Sequence, residues 1–429
     1  MNLKIASYTL GCKVNQYDTE AIVGEFLKDD FSLVPFKGKA DVYLINTCTV
    51  TAKADKESKY AIRQARRFNP RAKIVLTGCL VQRQPELLAD FPGVILLAGN
   101  PEKAQIFSLF KKALTSGKKE IAVSDNKKRT SWENLKVERF YNHTRAFVKI
   151  QDGCNARCRY CLVPRVRGEM ISRPKVEVKE EIKRLLKHGF KEVVLTGIRL
   201  GSYGQDLKPQ SNLAEVLQEL EEKDGLLRVR LSSLEPGELS PALIEQIAGS
   251  QKVCPHFHIS LQSGDDEILS RMGRTYNRSQ YQSLIKEIKA RIPQATFSTD
   301  VMVGFPGEKE RHFQKTKDLV KKIGFTHLHI FTFSPRELTP AADFSGQVPL
   351  AIKKRRSQEL QQLAKKLKEK YWAAQKDKAL EILVEKKDKD GNLTGLTRNY
   401  FRLSFPGKAS LINHLVKVHP GNQLKLSYM

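Results

Sequence analysis

Largely apolar runs alternate with helical stretches through roughly the first 122 residues. Residues 5–10, 42–46, 74–77 and 94–97 have the composition of strands buried on both faces, and 19–28 and 53–68 between them have a helical period. This alternation predicts a parallel α/β sheet. A second βα period begins at Thr144, with strand-like segments at 146–150, 192–196, 227–231, 257–261, 296–303 and 327–333, and helical segments such as 176–188 and 213–222 between them. Six βα units are too few for a closed eight-fold barrel, so the pattern predicts a partial (β/α)6 barrel. Residues 123–140, with Val123-Ser124-Asp125-Asn126-Lys127-Lys128-Arg129, are polar and charged and predict a linker. After Pro349 a long helix is expected over 351–378, with Leu360, Leu363 and Leu367 as its apolar stripe. Its Lys353, Lys354, Arg355, Arg356, Lys365, Lys366, Lys368 and Lys370 suit a phosphate backbone or a merely solvated face equally. Beyond it, 381–384, 396–399, 401–405, 415–418 and 423–428 alternate with glycine turns, which predicts a small β-barrel.

Charge changes the picture. The chain has 429 residues, 74 Lys+Arg against 47 Asp+Glu and a formal charge of +27, more than solubility requires. A polyanionic partner such as nucleic acid is the expectation, with a generally basic proteome as the bland alternative. A hydrophobic content of 40 % is adequate for globular cores. The run Met1-Asn2-Leu3-Lys4-Ile5 enters a strand pattern without a signal-peptide core, and no apolar run approaches the ~18 residues a membrane span needs. Seven cysteines in such a chain favour metal ligation over disulfides, in a reducing cytoplasm.

The cysteines carry the chemistry. Gly153-Cys154-Asn155-Ala156-Arg157-Cys158-Arg159-Tyr160-Cys161 follows the first strand of the second period and offers three thiolates in one tight loop. Three thiolates hold three irons of a four-iron cluster and leave the fourth iron open for a ligand. Zinc would want a fourth Cys or His, and His143 and His188 are not at ligand spacing. Cys12, Cys48 and Cys79 each follow one of the first three strands, about 35 and 30 residues apart. In a parallel sheet the carboxyl ends share one edge, so these three are expected to converge on a second cluster with its own open iron. Cys254 has no partner at ligand spacing and is expected to be a small buried residue.

The cysteine loop resembles that of the radical S-adenosylmethionine (SAM) enzymes, in which the open iron chelates SAM and an electron cleaves it to methionine and a 5′-deoxyadenosyl radical. Over essentially its full length the chain is similar to the methylthiotransferase family of these enzymes. That resemblance implies an N-terminal cluster domain over 1–122, a linker at 123–140, a radical SAM core over 141–372 and an RNA-binding TRAM β-barrel over 373–429. Tyr8-Thr9-Leu10-Gly11-Cys12-Lys13-Val14-Asn15-Gln16-Tyr17-Asp18 is similar to the branch acting on threonylcarbamoyladenosine (t6A) in tRNA; the isopentenyladenosine branch shows Gln-Met after the Cys, and the ribosomal-protein branch a Pro. By the same resemblance SAM would contact Thr196 and Gly197, Ser233 and Glu235, Gln262, and Asp300 and Gly304, while Tyr160 would pack on adenine or shield the cluster. Arg165, where this branch usually carries Tyr, and Gly395-Leu396-Thr397-Arg398 before Asn399-Tyr400 depart from its pattern.

The implied activity is conversion of t6A to its 2-methylthio derivative beside the anticodon. The cofactors are two [4Fe-4S] clusters, on Cys154/Cys158/Cys161 and on Cys12/Cys48/Cys79, together with SAM. The partners are the tRNA anticodon stem-loop, an electron donor such as flavodoxin or ferredoxin, and a sulfur donor. Arg398, Tyr400, Phe401 and Arg402 of the barrel would hold the RNA. The alternatives are isopentenyladenosine or a ribosomal protein as substrate, and a non-catalytic iron–sulfur RNA-binding protein.

Overall fold

The computed structural model describes residues 2–126, 129, 131–133, 135–141, 143–375, 378–419 and 425–426. Its first layer is a six-stranded parallel sheet. β1 (Leu3–Thr9) leads through α1 (Lys13–Leu27) to the edge strand β2 (Phe31–Leu33), then β3 (Val42–Thr47), α2 (Ala52–Phe68), β4 (Lys73–Gly78), the short α3 (Cys79–Arg83), β5 (Val94–Ala98), α4 (Ile106–Ser116) and β6 (Glu120–Ala122). The spatial order is β2-β1-β3-β4-β5-β6. All six residues of β3 are buried, as expected of a central strand covered on both faces. α2 starts where the Thr51 hydroxyl accepts the Ala54 N–H. α1 begins directly after Cys12, earlier than the apolar period suggests, because Asn15 and Asp18 in its first turns are buried for polar bonding rather than packing.

The segment read as a linker has no α-helix or strand in its described part, yet it is no solvated tether. Leu135, Val137 and Phe140 are buried in the main core, and the Leu135 carbonyl accepts the Tyr17 hydroxyl at 3.0 Å. The spacing of these three apolar residues among charges hid a strap that lies between two layers.

The second unit is an arc of six parallel strands: β7 (Ala146–Lys149), β8 (Glu192–Thr196), β9 (Arg228–Leu231, continued by Ser233–Leu234), β10 (His256–Ile259), β11 (Thr296–Val303) and β12 (His327–Thr332). After the cysteine loop comes α5 (Val163–Arg167), and helices α6 (Lys175–Lys187), α7 (Leu213–Glu221), α8 (Pro241–Gly249), α9 (Arg278–Arg291) and α10 (Glu310–Ile323) cover the outside. The (β/α)6 reading therefore holds. Among the described residues no pairing joins β12 back to β7, so the arc is open on one side.

The first sheet closes that opening. Asp18 of α1 pairs with Lys149 of β7 at 2.6 Å, and Tyr17 donates to Glu181 of α6 at 2.9 Å. Beyond the other edge, Arg336 reaches Asp55 at 2.6 Å and the Thr49 hydroxyl at 2.8 Å.

α11 (Leu350–Ala373) packs Leu360, Leu363 and Leu367 on the barrel. Several of its basic residues are spent internally: Lys353 donates to the Phe333 carbonyl at 2.9 Å, Arg356 pairs with Glu308 at 2.7 Å and Arg355 with Glu310 at 2.6 Å. Lys365, Lys366 and Lys370 stay exposed. The C-terminal strands β13 (Leu380–Lys387), β14 (Leu393–Thr397), β15 (Arg402–Phe405), β16 (Leu415–Val418) and β17 (Lys425–Leu426) form an antiparallel sheet in the order β16-β13-β14-β15-β17. The rest of the strand expected over 423–428 lies outside the described residues.

The turn 398–401 of this sheet plugs the amino-terminal mouth of the barrel. Tyr400 stacks on His256 with ring centroids 4.5 Å apart, Arg230 donates to the Thr397 carbonyl at 2.6 Å, and Arg398 donates to the Gln251 carbonyl at 2.6 Å. Phe401 is buried in the sheet's own core, and Arg402 pairs with Glu385 at 2.5 Å. The expectation that these four residues face RNA is thus corrected. Their aromatic and basic character serves domain docking, which no local pattern distinguishes from an RNA surface. No helix among the described residues is long and apolar enough to cross a membrane.

Candidate active site between two cysteine clusters

Strands β1, β3 and β4 are neighbours in one sheet, with Thr9 opposite Asn46 and Thr47 opposite Gly78. Cys12, Cys48 and Cys79 therefore emerge from the same edge. Gly11 and Gly78 have φ of +93° and +98°, and a Cβ on Gly11 would lie 2.9 Å from Cys48 Sγ, so only glycine lets the first turn pass so close. Asn15 ties the edge together, donating to the carbonyls of Leu10 at 2.7 Å and Thr47 at 3.1 Å. Burial, with the neighbouring Cys79 second and Cys12 further down, pushes the Cys48 thiol up to about 12. Three thiols that repel one another as thiolates become a stable anionic set only around a cation, and the donor chemistry fits an iron–sulfur cluster.

The second trio lies in the loop after β7. The Ala156 N–H points at Cys154 Sγ at 3.4 Å, the Val163 N–H at Cys161 Sγ at 3.5 Å, and the Arg274 guanidinium at Cys158 Sγ at 3.1 Å. Burial pushes Cys161 up to about 12. Donors already aimed at the sulfurs stabilise thiolates, so this set fits a cluster too. Cys254 is buried away from both trios.

α5 spans the two. It starts two residues after Cys161 and ends at Arg167, whose guanidinium feels the charges of Cys79 and Cys12 after that of Asp152. Arg167 pairs with Asp152 at 2.7 Å and donates to the Asn15 side chain, and Asn100 donates to the Val166 carbonyl at 2.5 Å while lying 3.8 Å from Cys79 Sγ. Below them Lys103 and Lys149 pair with the two oxygens of Asp18 at 2.5 and 2.6 Å. Burial would raise the Asp18 acid, but Lys103, Lys149 and Arg167 outweigh it and bring it to about 2.

A cavity of about 170 Å³ opens between the layers, bordered by Val50 and Thr51 just after Cys48, by Tyr160, Cys161 and Gln262, and by Asp300 and Arg336. A larger one, about 440 Å³, lies between the barrel floor and the C-terminal sheet, away from every cysteine of either trio, and has no chemistry of this kind.

The residues expected to contact SAM divide into groups. Tyr160, Gln262 and Asp300 border the smaller cavity. Thr196 ends β8, and its buried hydroxyl has no hydrogen-bond partner; Gly197 donates its N–H to Ser232 Oγ at 3.4 Å; Ser233 lies in the extension of β9; and Glu235 accepts from Arg274, the same side chain that meets Cys158. Gly304 turns away, with its N–H on Glu308 and its α-carbon against Lys353. Arg274, Arg167, Asn15 and Asn100 escaped sequence reasoning because each has a partner on a distant element: Glu235 lies 39 residues from Arg274, Val166 lies 66 from Asn100 and Asn15 lies 152 from Arg167.

A three-thiolate loop at the mouth of a partial (β/α)6 barrel defines a radical SAM enzyme. Residues 148–320 match the radical SAM superfamily, and residues 4–99 match the uncharacterized protein family UPF0004. The chain is 37 % identical over 416 residues to the threonylcarbamoyladenosine tRNA methylthiotransferase MtaB of Aquifex aeolicus, covering 97 % of this chain and 100 % of that protein. It is 36 % identical over 418 residues to the tRNA-2-methylthio-N(6)-dimethylallyladenosine synthase of Carboxydothermus hydrogenoformans, covering 96 % and 94 %. Among solved structures, the radical SAM methyltransferase TsrM of Kitasatospora setae has a TM-score of 0.58 at 15 % identity, covering 80 % of this chain and 75 % of that one, which shows the shared fold. The chain belongs to the radical SAM methylthiotransferase family, in its MtaB-like branch. It is an enzyme that transfers a sulfur-containing group, and its cofactors are two [4Fe-4S] clusters and SAM.

Proposed function

We propose that this enzyme methylthiolates C2 of t6A beside the anticodon of tRNA. The observation that carries the reading is one cavity bordered by Cys161 of one trio and by Val50, two residues after Cys48 of the other, with α5 running from Cys161 towards Cys79 and Cys12. An aromatic C2–H is too weak an acid for general-base chemistry, so carbon activation and sulfur delivery must meet at one carbon. The bound SAM and clusters supply the radical, the sulfur and the methyl group. The protein's residues hold and enclose them. Cys154, Cys158 and Cys161 would hold one cluster, with Arg274 bonded to its thiolate side, and Cys12, Cys48 and Cys79 the other, with Asn15 and Arg167 fixing the sheet edge. Tyr160 and Gln262 border the space where adenine is presented, and Val50 and Thr51 of the first sheet roof it against water. A loop base reaches such a space because it can be splayed from its neighbours.

The same reading assigns residues 1–122 to the cluster-bearing domain, 123–140 to the strap, 141–372 to the radical SAM core and 373–429 to a TRAM-type RNA-binding domain. It places the enzyme in the cytoplasm, fed by an electron donor such as flavodoxin or ferredoxin and by a sulfur donor. The test is to incubate reconstituted enzyme, SAM and reductant with tRNA carrying t6A or isopentenyladenosine, then digest and weigh the nucleosides. The mass gain of a methylthio group on t6A is expected. Gain on isopentenyladenosine alone would overturn the substrate, and absence of 5′-deoxyadenosine release would overturn the enzymatic reading altogether.

A further inference from the structure

Three neighbouring strands present a histidine row to the barrel lumen. His256 and His258 of β10, Thr296, Ser298 and Asp300 of β11, and His327 and His329 of β12 follow the two-residue period, with Ser298 opposite both His258 and His327 and Asp300 opposite His329. The lower end is structural: His256 bonds the Thr296 and Ser298 hydroxyls, each at 3.0 Å, and stacks on Tyr400.

The upper end differs. His258 Nε2 lies 3.3 Å from one oxygen of Asp300 and His329 Nδ1 lies 3.3 Å from the other. Burial would raise the Asp300 acid, but the two imidazoles more than reverse this and hold it well below the usual carboxylate range. His258 is pinned at its second nitrogen by Ser298 Oγ at 2.9 Å. His329 is not pinned: among the described residues its Nε2 has no partner, and its side chain is 56 % exposed. Asp300 and Phe331, the residue one pleat above His329, border the cavity beside Cys161.

The carboxylates of the lumen are already satisfied. Glu192 pairs with Arg230 at 2.6 Å and Asp300 with its two histidines, and Glu385 of the C-terminal sheet below them pairs with Arg145 at 2.6 Å. Lys13, next to Cys12, makes no ion pair among the described residues, and its charge is the largest influence lowering the Tyr400 phenol. The lumen therefore has cationic capacity to spare for an acid that arrives with a ligand.

We propose that His329, oriented by Asp300, is a specificity-determining residue that binds the carboxylate of the substrate's N6 threonylcarbamoyl group. This rests on t6A being the substrate. His329 turns Nδ1 to Asp300 and leaves Nε2 to face the substrate carboxylate, and an imidazolium donates from both ring nitrogens. An isopentenyl group offers that donor nothing, and a site built to bond a polar group rejects an analogue lacking it.

The test is steady-state kinetics of the holoenzyme on two anticodon stem-loop RNAs, one carrying t6A and one carrying the same nucleoside with its threonyl carboxylate converted to a carboxamide. The intact enzyme should show a KM roughly ten- to a hundredfold higher for the amide, the range expected for a hydrogen bond to a charged group. His329→Phe should raise the KM for the acid to that for the amide, and His329→Gln, which retains one donor, should fall between. Iron content and unfolding midpoint on the same preparations separate lost recognition from lost folding. Equal KM for acid and amide in the unaltered enzyme would overturn the inference while leaving t6A as the substrate. Turnover of isopentenyladenosine RNA alone would overturn both.

Discussion

Arg274 shows how one side chain tunes a cluster. Its guanidinium meets Cys158 Sγ at 3.1 Å and also donates to Glu235, so a positive charge rests against the cysteine loop. Burial raises the Glu235 acid, and Arg274 is the first of the influences that oppose this. A cation and a hydrogen bond at a cluster sulfur favour the reduced state. Arg274→Met is therefore expected to make the barrel cluster harder to reduce, by roughly 60 mV, the one-electron equivalent of a tenfold change. Redox titration followed by EPR reads this directly, and an unshifted or raised potential would refute the role assigned to Arg274.

At the scale of an element, α5 is too short to be stable alone. It is held by what surrounds it: Asn100 on the Val166 carbonyl, and Arg167 buried against Asp152 and Asn15. Removing one partner from a buried, hydrogen-bonded charge pair costs about 3 kcal/mol or more, because the other charge stays behind. Asp152 keeps weaker contacts with Arg129 at 3.4 Å and Lys149 at 3.6 Å, which set the lower end of that range. Arg167→Met should lower the apparent unfolding midpoint and release iron from the Cys12/Cys48/Cys79 site before the other. Iron counts in Cys154→Ala, Cys158→Ala, Cys161→Ala protein with and without Arg167→Met isolate that site. Unchanged retention on heating would show that α5 does not connect the two.

For the whole molecule, the charge of +27 has to be shared between internal pairing and RNA. Arg398 and Arg402, and Lys353, Arg355 and Arg356 of α11, are spent on domain docking and ion pairs. Lys386, Lys387, Lys389 and Lys417 on the C-terminal sheet remain exposed. Replacing these four by Ala should weaken tRNA binding and flatten its salt dependence by roughly 0.7–0.9 in logarithmic slope for each phosphate no longer neutralised. SAM cleavage without tRNA should persist. Binding measured from low to high salt checks this, and an unaltered slope would move the RNA face elsewhere. Tyr400→Ala, in contrast, should loosen the sheet from the barrel floor, because the ring on His256 is part of that joint.

Four strands of the first sheet, the six-unit count of the barrel and the two cysteine trios were legible in the sequence, whereas the short edge strands β2 and β6 and the spatial order were not. Period and spacing are local quantities, and parallel topology places every strand's carboxyl end on one edge. Even the convergence of Cys12, Cys48 and Cys79 follows from β1, β3 and β4 being neighbours. What faces what was settled only when the layers packed. The strap over 123–140 looks polar because its three core residues are scattered, and Arg398, Tyr400, Phe401 and Arg402 look like an RNA surface because docking and RNA binding use the same side chains. Arg167 on Asn15, Arg336 on Asp55 and His329 on Asp300 join residues of different elements, whose burial and pairing exist only once the layers have closed.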